Sequence, residues 1–207
     1  NHPASGQRSS ALGFSNLASG LLSSSLGTQG TATGTGGLAV GGFLDRNLDG
    51  VITLDVDADG DGTPDASSET ALADGNSSVA IGAGVVASGD NSAAIGVNNR
   101  ASSEYSYAFG ADNTASSFGS SAFGSSNIAG GSGSSSAFGF SNSATGGNSS
   151  AMGYRNSATA ESSTALGFQG RATGTGSLAV SAWHDRDEDG LPRLNEVAQA
   201  TGTSSVG

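Results

Sequence analysis

A five-residue bracket, Ser-x-Ala-φ-Gly with φ an apolar residue, recurs along this chain with a period of fourteen residues. The steps are fourteen except for one of fifteen, from Phe123 to Phe138, and one of 41, from Val40 to Ile81. The φ positions are Leu12, Leu26, Val40, Ile81, Ile95, Phe109, Phe123, Phe138, Met152, Leu166 and Val180. A unit this short cannot bury its apolar side alone and is stable only when it is stacked on similar units. The period therefore predicts a solenoid.

Each fourteen-residue unit divides into two halves of seven. An alanine follows most bracket alanines by seven residues, at Ala18, Ala32, Ala87, Ala101, Ala115, Ala129, Ala144, Ala158 and Ala172. Between the halves lie Asn-Ser, Gly-Asp-Asn and Ala-Thr-Gly-Thr-Gly stretches, which supply tight-turn conformations. We expect two strands in each coil, and the one helix-compatible stretch is residues 195–200.

The bracket predicts which side chains point inward. Side chains alternate in an extended chain, so Ser92, Ala94 and Gly96 share one face and Ala93 and Ile95 share the other. A face of Ser, Ala and Gly suits the interior of a very narrow coil, and the bulky φ residue must then point outward. A long exposed apolar column marks an interaction surface. Since cyclic symmetry closes such an assembly, we expect a homotrimer.

Composition taken alone indicates a disordered chain, because Gly is abundant and only 6% of residues are aromatic. The strict period overrules that interpretation. The net charge is −11, there is no Lys, and no basic patch is present that could neutralise nucleic-acid phosphates. The chain lacks a run of about 20 apolar residues, so we expect no membrane insertion by this segment. The N-terminal residues do not form a signal peptide, which is consistent with a segment of a longer protein.

Catalysis is disfavoured by the residue types. The chain has no Cys and two histidines, His2 and His184, and it has neither a nucleophile motif nor a phosphate-cradling loop. The carboxylates are clustered: 12 of the 18 acids lie within residues 45–65 and 185–196. Their spacing is that of metal ligands, which accounts for them without a catalytic acid and base. We therefore predict that the protein is not an enzyme.

The clustered acids interrupt the repeats and divide the chain into four parts. We assign residues 1–41 to N-terminal coils, 42–66 to an acidic insertion, 67–182 to the main repeats, and 183–207 to a cation-binding loop and C-terminal segment. The long step from Val40 to Ile81 is interpreted as two units plus a further thirteen inserted positions.

The first insertion holds two runs in which oxygen ligands alternate with other residues. Their candidate ligands are Asp45, Asn47, Asp49, Val51 and Asp55 in the first run and Asp57, Asp59, Asp61, Thr63 and Asp65 in the second. A Gly follows the third ligand of each run, where a Ca²⁺ loop needs a sharp turn. Neither run has a carboxylate at its twelfth position, where Val56 and Ser68 stand. The alternative is that these acids only solubilise an exposed loop.

The last acidic run fits the complete twelve-residue EF-hand loop. Its predicted ligands are the carboxylates of Asp185, Asp187 and Asp189, the carbonyl of Leu191, and a closing bidentate Glu196. Pro192 and Arg193 depart from the usual pattern, and no flanking helices are evident. Ca²⁺ is the expected cofactor, because Mg²⁺ is less suited to a flexible cage of many protein oxygens.

The two acidic segments follow similar sequences. Residues 32–46 and 172–186 share Ala-Thr-Gly-Thr-Gly, Leu-Ala-Val and a closing Asp-Arg at the same relative positions. Phe43 and Trp183 occupy matched positions within them. We interpret these residues as packing anchors where the chain leaves the coil, with ligand contact by Trp183 as the alternative.

The units at residues 76–82, 91–96 and 149–153 closely resemble the head repeats of YadA-like trimeric autotransporter adhesins. The resemblance covers most of the chain. It implies a left-handed parallel β-roll that trimerises and is carried on the cell surface by an outer-membrane anchor. In that family, some Asn-Ser-Val-Ala-Ile-Gly repeats bind collagen and other matrix proteins. Residues 76–82 and 91–96 are approximate copies, which either bind in this way or only build the roll.

The expected function is therefore that of an adhesin head, the extracellular part of a larger secreted protein, with Ca²⁺ ordering its acidic loops. The expected partners are two further copies of the chain and an extracellular matrix protein, glycan or cell-surface ligand. One alternative is a structural spacer or fibre segment that binds nothing. Another is an ice-binding solenoid, which is disfavoured because Thr31, Thr33, Thr35, Thr173 and Thr175 form two clusters instead of a ladder.

Overall fold

The computed structural model describes residues 4–42, 70–182 and 197–207. Two kinds of strand alternate along these ranges. Long strands of four or five residues carry the bracket, and strands of two residues carry the half-period alanine. The chain forms two compact units, Asn1–Asp112 and Asn113–Gly207.

In the first unit, each kind of strand builds its own parallel sheet. The long strands pair in the order β1 (Ser10–Phe14), β3 (Ser24–Thr28), β5 (Leu38–Gly41), β7 (Val79–Ala83), β9 (Ala93–Val97) and β11 (Tyr107–Ala111). The short strands pair in the order β2 (Leu17–Ala18), β4 (Thr31–Ala32), β6 (Leu72–Ala73), β8 (Val86–Ala87) and β10 (Arg100–Ala101).

The second unit repeats this arrangement. Its long strands are β13 (Ser121–Ser125), β15 (Ser136–Phe140), β17 (Ser150–Tyr154), β19 (Thr164–Phe168) and β21 (Leu178–Ser181). Its short strands are β12 (Thr114–Ala115), β14 (Ile128–Ala129), β16 (Ser143–Ala144), β18 (Ser157–Ala158), β20 (Arg171–Ala172) and β22 (Gln199–Ala200).

The strand register follows the period of the sequence. Ile95 pairs with Phe109, fourteen residues on, and Phe123 pairs with Phe138, fifteen residues on. A bracket therefore lies directly beside the next bracket in each unit. The prediction of an all-β parallel solenoid with turns of about fourteen residues is confirmed.

The two kinds of strand face each other across an interior lined mostly by small side chains. The bracket alanines from Ala39 to Ala179 and the half-period alanines from Ala18 to Ala172 are fully buried. Ser residues of the bracket, such as Ser120 and Ser149, are also buried, and their hydroxyls donate to a turn carbonyl three residues earlier. The predicted narrow interior and the outward direction of the φ residues are confirmed.

The bracket glycine does not lie on this inner face, so that part of the expectation is wrong. Gly96 is half-buried and Gly153 is exposed, whereas Ala94 and Ala151 are fully buried. The reason is conformational, because φ is +121° at Gly96 and +117° at Gly153, which breaks the alternation of an extended strand. A Cβ on Gly153 would overlap the carbonyl oxygen of Gly167 in the next coil.

A column of buried asparagines, which the sequence analysis missed, runs along one corner of the coils. The asparagines are Asn16 and Asn99 in the first unit and Asn113, Asn127, Asn142 and Asn156 in the second. The Asn142 amide donates to the carbonyls of Phe138 and Gly153, both at 2.8 Å. It also donates to Asn127 Oδ1, at 3.0 Å, and Asn142 Oδ1 accepts from the Asn156 amide, at 3.0 Å. This ladder satisfies corner carbonyls that the sheets leave unpaired.

The acidic insertions leave the sheets in register. Val40 pairs directly with Ile81, so the step between them comprises one ordinary coil that is enlarged by the whole insertion. The interpretation as two units plus thirteen positions is wrong, since no second coil separates β5 from β7. The second insertion behaves in the same way, because Ala172, before it, pairs directly with Ala200, after it.

The helix-compatible stretch at residues 195–200 does not form a helix in its described part. Gln199–Ala200 is strand β22, which pairs with β20, and Ala200 is buried. Sheet pairing with β20 therefore overrides a local preference that covers one or two helical turns at most.

We predict that Gly153→Ala destabilises the protein by about 3 kcal/mol or more, because a positive φ and overlap with a backbone carbonyl are both unfavourable for alanine. Gly202→Ala is the matched control, since the nearest atom to its added Cβ is the Ser205 Cβ at 3.6 Å. Denaturant unfolding of both variants measures the effect. Equal midpoints for the two variants would contradict the glycine assignment.

We predict that Asn142→Ala destabilises the protein by about 2–4 kcal/mol, because it removes several buried hydrogen bonds and leaves their partners unsatisfied. Thr145→Ala, at an exposed position three residues away, should change stability by less than about 0.5 kcal/mol. The unfolding midpoint of each variant checks this. A loss of stability that is no larger for Asn142→Ala than for Thr145→Ala would show that the ladder is dispensable.

Candidate functional surface

The long strands present the φ column as a continuous outward row in each unit. Leu12 is 70% exposed, Val180 57% and Met152 38%, while Ile95 and Phe109 are half-buried. Neighbouring φ residues contact along the row, as shown by the stacked rings of Phe123 and Phe138, whose centroids are 5.0 Å apart. A single chain thus exposes an apolar stripe of the kind that marks a subunit interface.

A second apolar column lies beside the first in the second unit, at the last residues of β15, β17 and β19. Phe140, Tyr154 and Phe168 stack in this column, with ring centroids 5.4 Å and 5.1 Å apart and nearly parallel ring planes. This column was not predicted from the sequence, although an aromatic residue follows the bracket glycine at all three positions. The surface around β15, β17 and β19 is therefore two apolar columns wide.

An arginine borders the aromatic column at the corner of the coil. Arg155 follows β17 directly, has a φ of +53°, and its backbone N–H donates to the Phe140 carbonyl at 2.9 Å. Its guanidinium carbon lies 5.2 Å from the centroid of the Tyr154 ring. This is a cation–π distance, and the exposed charge is thereby held beside the aromatic column.

Three aspartates of the first unit accept hydrogen bonds from residues in neighbouring turns. Asp90 accepts from the backbone N–H of Asn76 at 2.8 Å and from the Asn76 side-chain amide at 3.1 Å, and these bonds lower the pKa of the Asp90 carboxyl. Asp112 accepts from the Asn98 amide at 2.6 Å, and Asp74 accepts from the Thr33 hydroxyl. These carboxylates link successive turns of the first unit, where they stabilise the stack.

The predicted cation ligands all lie outside the described residues. They are Asp45, Asn47, Asp49, Val51, Asp55, Asp57, Asp59, Asp61, Thr63, Asp65, Asp185, Asp187, Asp189, Leu191 and Glu196. The matched aromatic residues Phe43 and Trp183 also lie outside. Within the described ranges, no group of three or more His, Asp or Glu side chains could hold a metal ion.

The structure does define where each insertion leaves its sheet. At the start of the first acidic segment, the backbone N–H of Gly42 donates to the Gly82 carbonyl at 2.8 Å. After the second acidic segment, the N–H of Ala198 donates to Ser181 Oγ at 2.9 Å. Both acidic insertions occur at the same corner of the coil, between the long strand and the asparagine column. In the returning coil the column residue is Ala71 or Ala198 instead of Asn.

Within residues 4–42, 70–182 and 197–207, no helix is long and apolar enough to cross a membrane.

No curated protein matches the chain. The family model described as "YadA head domain repeat (2 copies)" matches residues 4–28, 69–84, 87–113, 133–156, 144–169 and 158–180. These matches cover more than half of the chain and follow the bracket and its period in both units. The YadA head is an adhesin domain and not an enzyme. The chain belongs to the YadA head domain family, the heads of trimeric autotransporter adhesins.

Proposed function

We propose that this chain forms a homotrimeric adhesin head, in which the long-strand faces of three left-handed rolls meet at a common axis. The observation that carries the proposal is the outward φ column, which is exposed in a single chain at Leu12, Met152 and Val180. Burial of this column against two further copies would remove the apolar stripe from water. A cyclic arrangement leaves no open face along the axis.

The proposed role of the trimer is attachment of a cell to a matrix protein, glycan or other surface. Its location would be the outer membrane surface, as the head of a larger secreted protein. The family match supports this role. The alternative is that the repeats bind no ligand and act as a spacer. A binding screen distinguishes the two functions.

We further propose that Ca²⁺ orders the two acidic insertions. The support is the ligand spacing at residues 45–65 and 185–196, together with the intact register of the strands on either side of each insertion. Because the sheet does not depend on the inserted residues, a loop at this corner can be specialised for cation binding. Bound Ca²⁺ would offset the mutual repulsion of clustered carboxylates and stabilise the native state by linkage.

We predict that Met152→Asp lowers the trimer association constant by about a hundredfold or more, because it places three unpaired carboxylates near the axis. Ser143→Asp is the control, since Ser143 lies on the short strand β16. Light scattering and sedimentation across a concentration series measure the effect. A monomeric wild-type protein, or equal dissociation of both variants, would overturn the proposed trimer.

We predict that excess chelator lowers the melting temperature, since Ca²⁺ at a hundred times its Kd contributes about 2.7 kcal/mol. Asp187→Asn and Asp189→Asn should lower Ca²⁺ stoichiometry in calorimetry, while Glu104→Gln, outside both insertions, should leave it unchanged. An unchanged melting curve in chelator would overturn the calcium proposal.

The same samples test adhesion. Binding of the trimer to matrix proteins, glycans and whole cells, measured with and without Ca²⁺, should identify a ligand whose binding weakens in chelator. If an intact trimer binds no ligand in this screen, the result indicates that the chain is a spacer.

A further inference from the structure

We propose that Arg155 of one subunit pairs with Glu161 of the next subunit in the trimer, across the edge of the aromatic column. This inference rests on the proposed trimer and names one of its intersubunit contacts. The partner is a second copy of this chain, related by the cyclic axis.

The charges of the second unit are few, which makes their placement informative. Among its described residues, 113–182 and 197–207, the charged side chains are Arg155, Glu161 and Arg171. Arg171 lies on the short strand β20, in the sheet that does not carry the φ column. Arg155 and Glu161 are the two charges that flank the long-strand sheet.

These two residues lie at opposite edges of that sheet. Arg155 comes directly after β17, and Glu161 lies in the turn that precedes β19. A five-residue strand separates the edges, a distance of about 17 Å at roughly 3.3 Å per residue. Both side chains are exposed in the single chain, so each is open to a neighbouring subunit.

Cyclic symmetry brings opposite edges together. When each long-strand face turns toward the axis, one edge of every sheet meets the other edge of its neighbour, and this heterologous contact closes after three copies. Arg155 and Glu161 are six residues apart in a fourteen-residue coil. They therefore differ in axial level by less than one strand spacing of about 4.8 Å, which the two long side chains can span.

The aromatic column gives this contact a protected setting. Arg155 lies over the Tyr154 ring, and Tyr154 stacks between Phe140 and Phe168. Phe140 is 45% exposed and Tyr154 36% exposed in the single chain. A neighbouring edge that carried Glu161 would cover these rings and pair the cation beside them, so that charge complementarity accompanies apolar burial.

The test uses cysteine pairs, because the chain contains no native Cys. The double variant Arg155→Cys with Glu161→Cys, treated with a short bis-maleimide, should give covalent dimers and trimers on denaturing gels. The control is Arg171→Cys with Glu161→Cys, which should give no covalent trimer. Circular dichroism and light scattering establish that each variant is folded and trimeric before cross-linking.

Charge reversal provides a second readout. Arg155→Glu or Glu161→Arg alone should weaken trimer association by about fivefold, and the double reversal should restore it. If the wild-type protein is a stable trimer but the 155–161 cysteine variant gives no cross-link, or the double reversal shows no rescue, this contact is overturned and the trimer is not. A monomeric wild-type protein would overturn the proposed trimer and this contact with it.

Discussion

The two strand types approach each other closely within each coil, and this leaves room only for small side chains between most of the paired positions. Alanine is fully buried at the bracket positions from Ala39 to Ala179, and the larger buried residues are Ser, Asn, Thr70 and Val85. So small an interior buries little apolar surface per coil. Stability must then come from repetition, with successive coils within each unit hydrogen-bonded by parallel strands. The asparagine ladder adds further bonds between the coils from Asn113 to Asn156.

The same constraint sends the φ and aromatic side chains of the long strands outward. Phe138, Met152 and Tyr154 have no interior to enter, so they form columns on the long-strand face. The close approach of the strands also explains where insertions are tolerated. Extra residues cannot be placed inside a strand without loss of register, but they can be placed at a corner, as Val40 and Ile81 show by pairing directly on either side of the first insertion. The coil therefore combines a fixed stack of strands with a corner at which the number of residues can vary.

Much of this could be predicted from the sequence, because one periodic pattern determines strand register, inner face and outer face together. The position of Gly153 could not be predicted. Its positive φ accompanies a close approach to the carbonyl of the next coil, which is a contact between successive coils and not within one coil. The burial of Asn142 could not be predicted either, since Asn favours exposed turns and the buried position arises only when coils stack. The calcium ligands, from Asp45 to Glu196, remain a prediction from loop spacing.

Residue-resolved amide hydrogen exchange measures whether the stacked strands remain paired on either side of an insertion. The N–H of Leu38 donates to the Ser78 carbonyl across the first insertion, whereas Ala93 donates to Ser106 in an uninterrupted part of the same sheet. We expect the amides of Leu38 and Ala93 to be strongly protected from exchange, and to a similar degree. Exchange of Leu38 at the rate of an unfolded chain, with Ala93 protected, would contradict it.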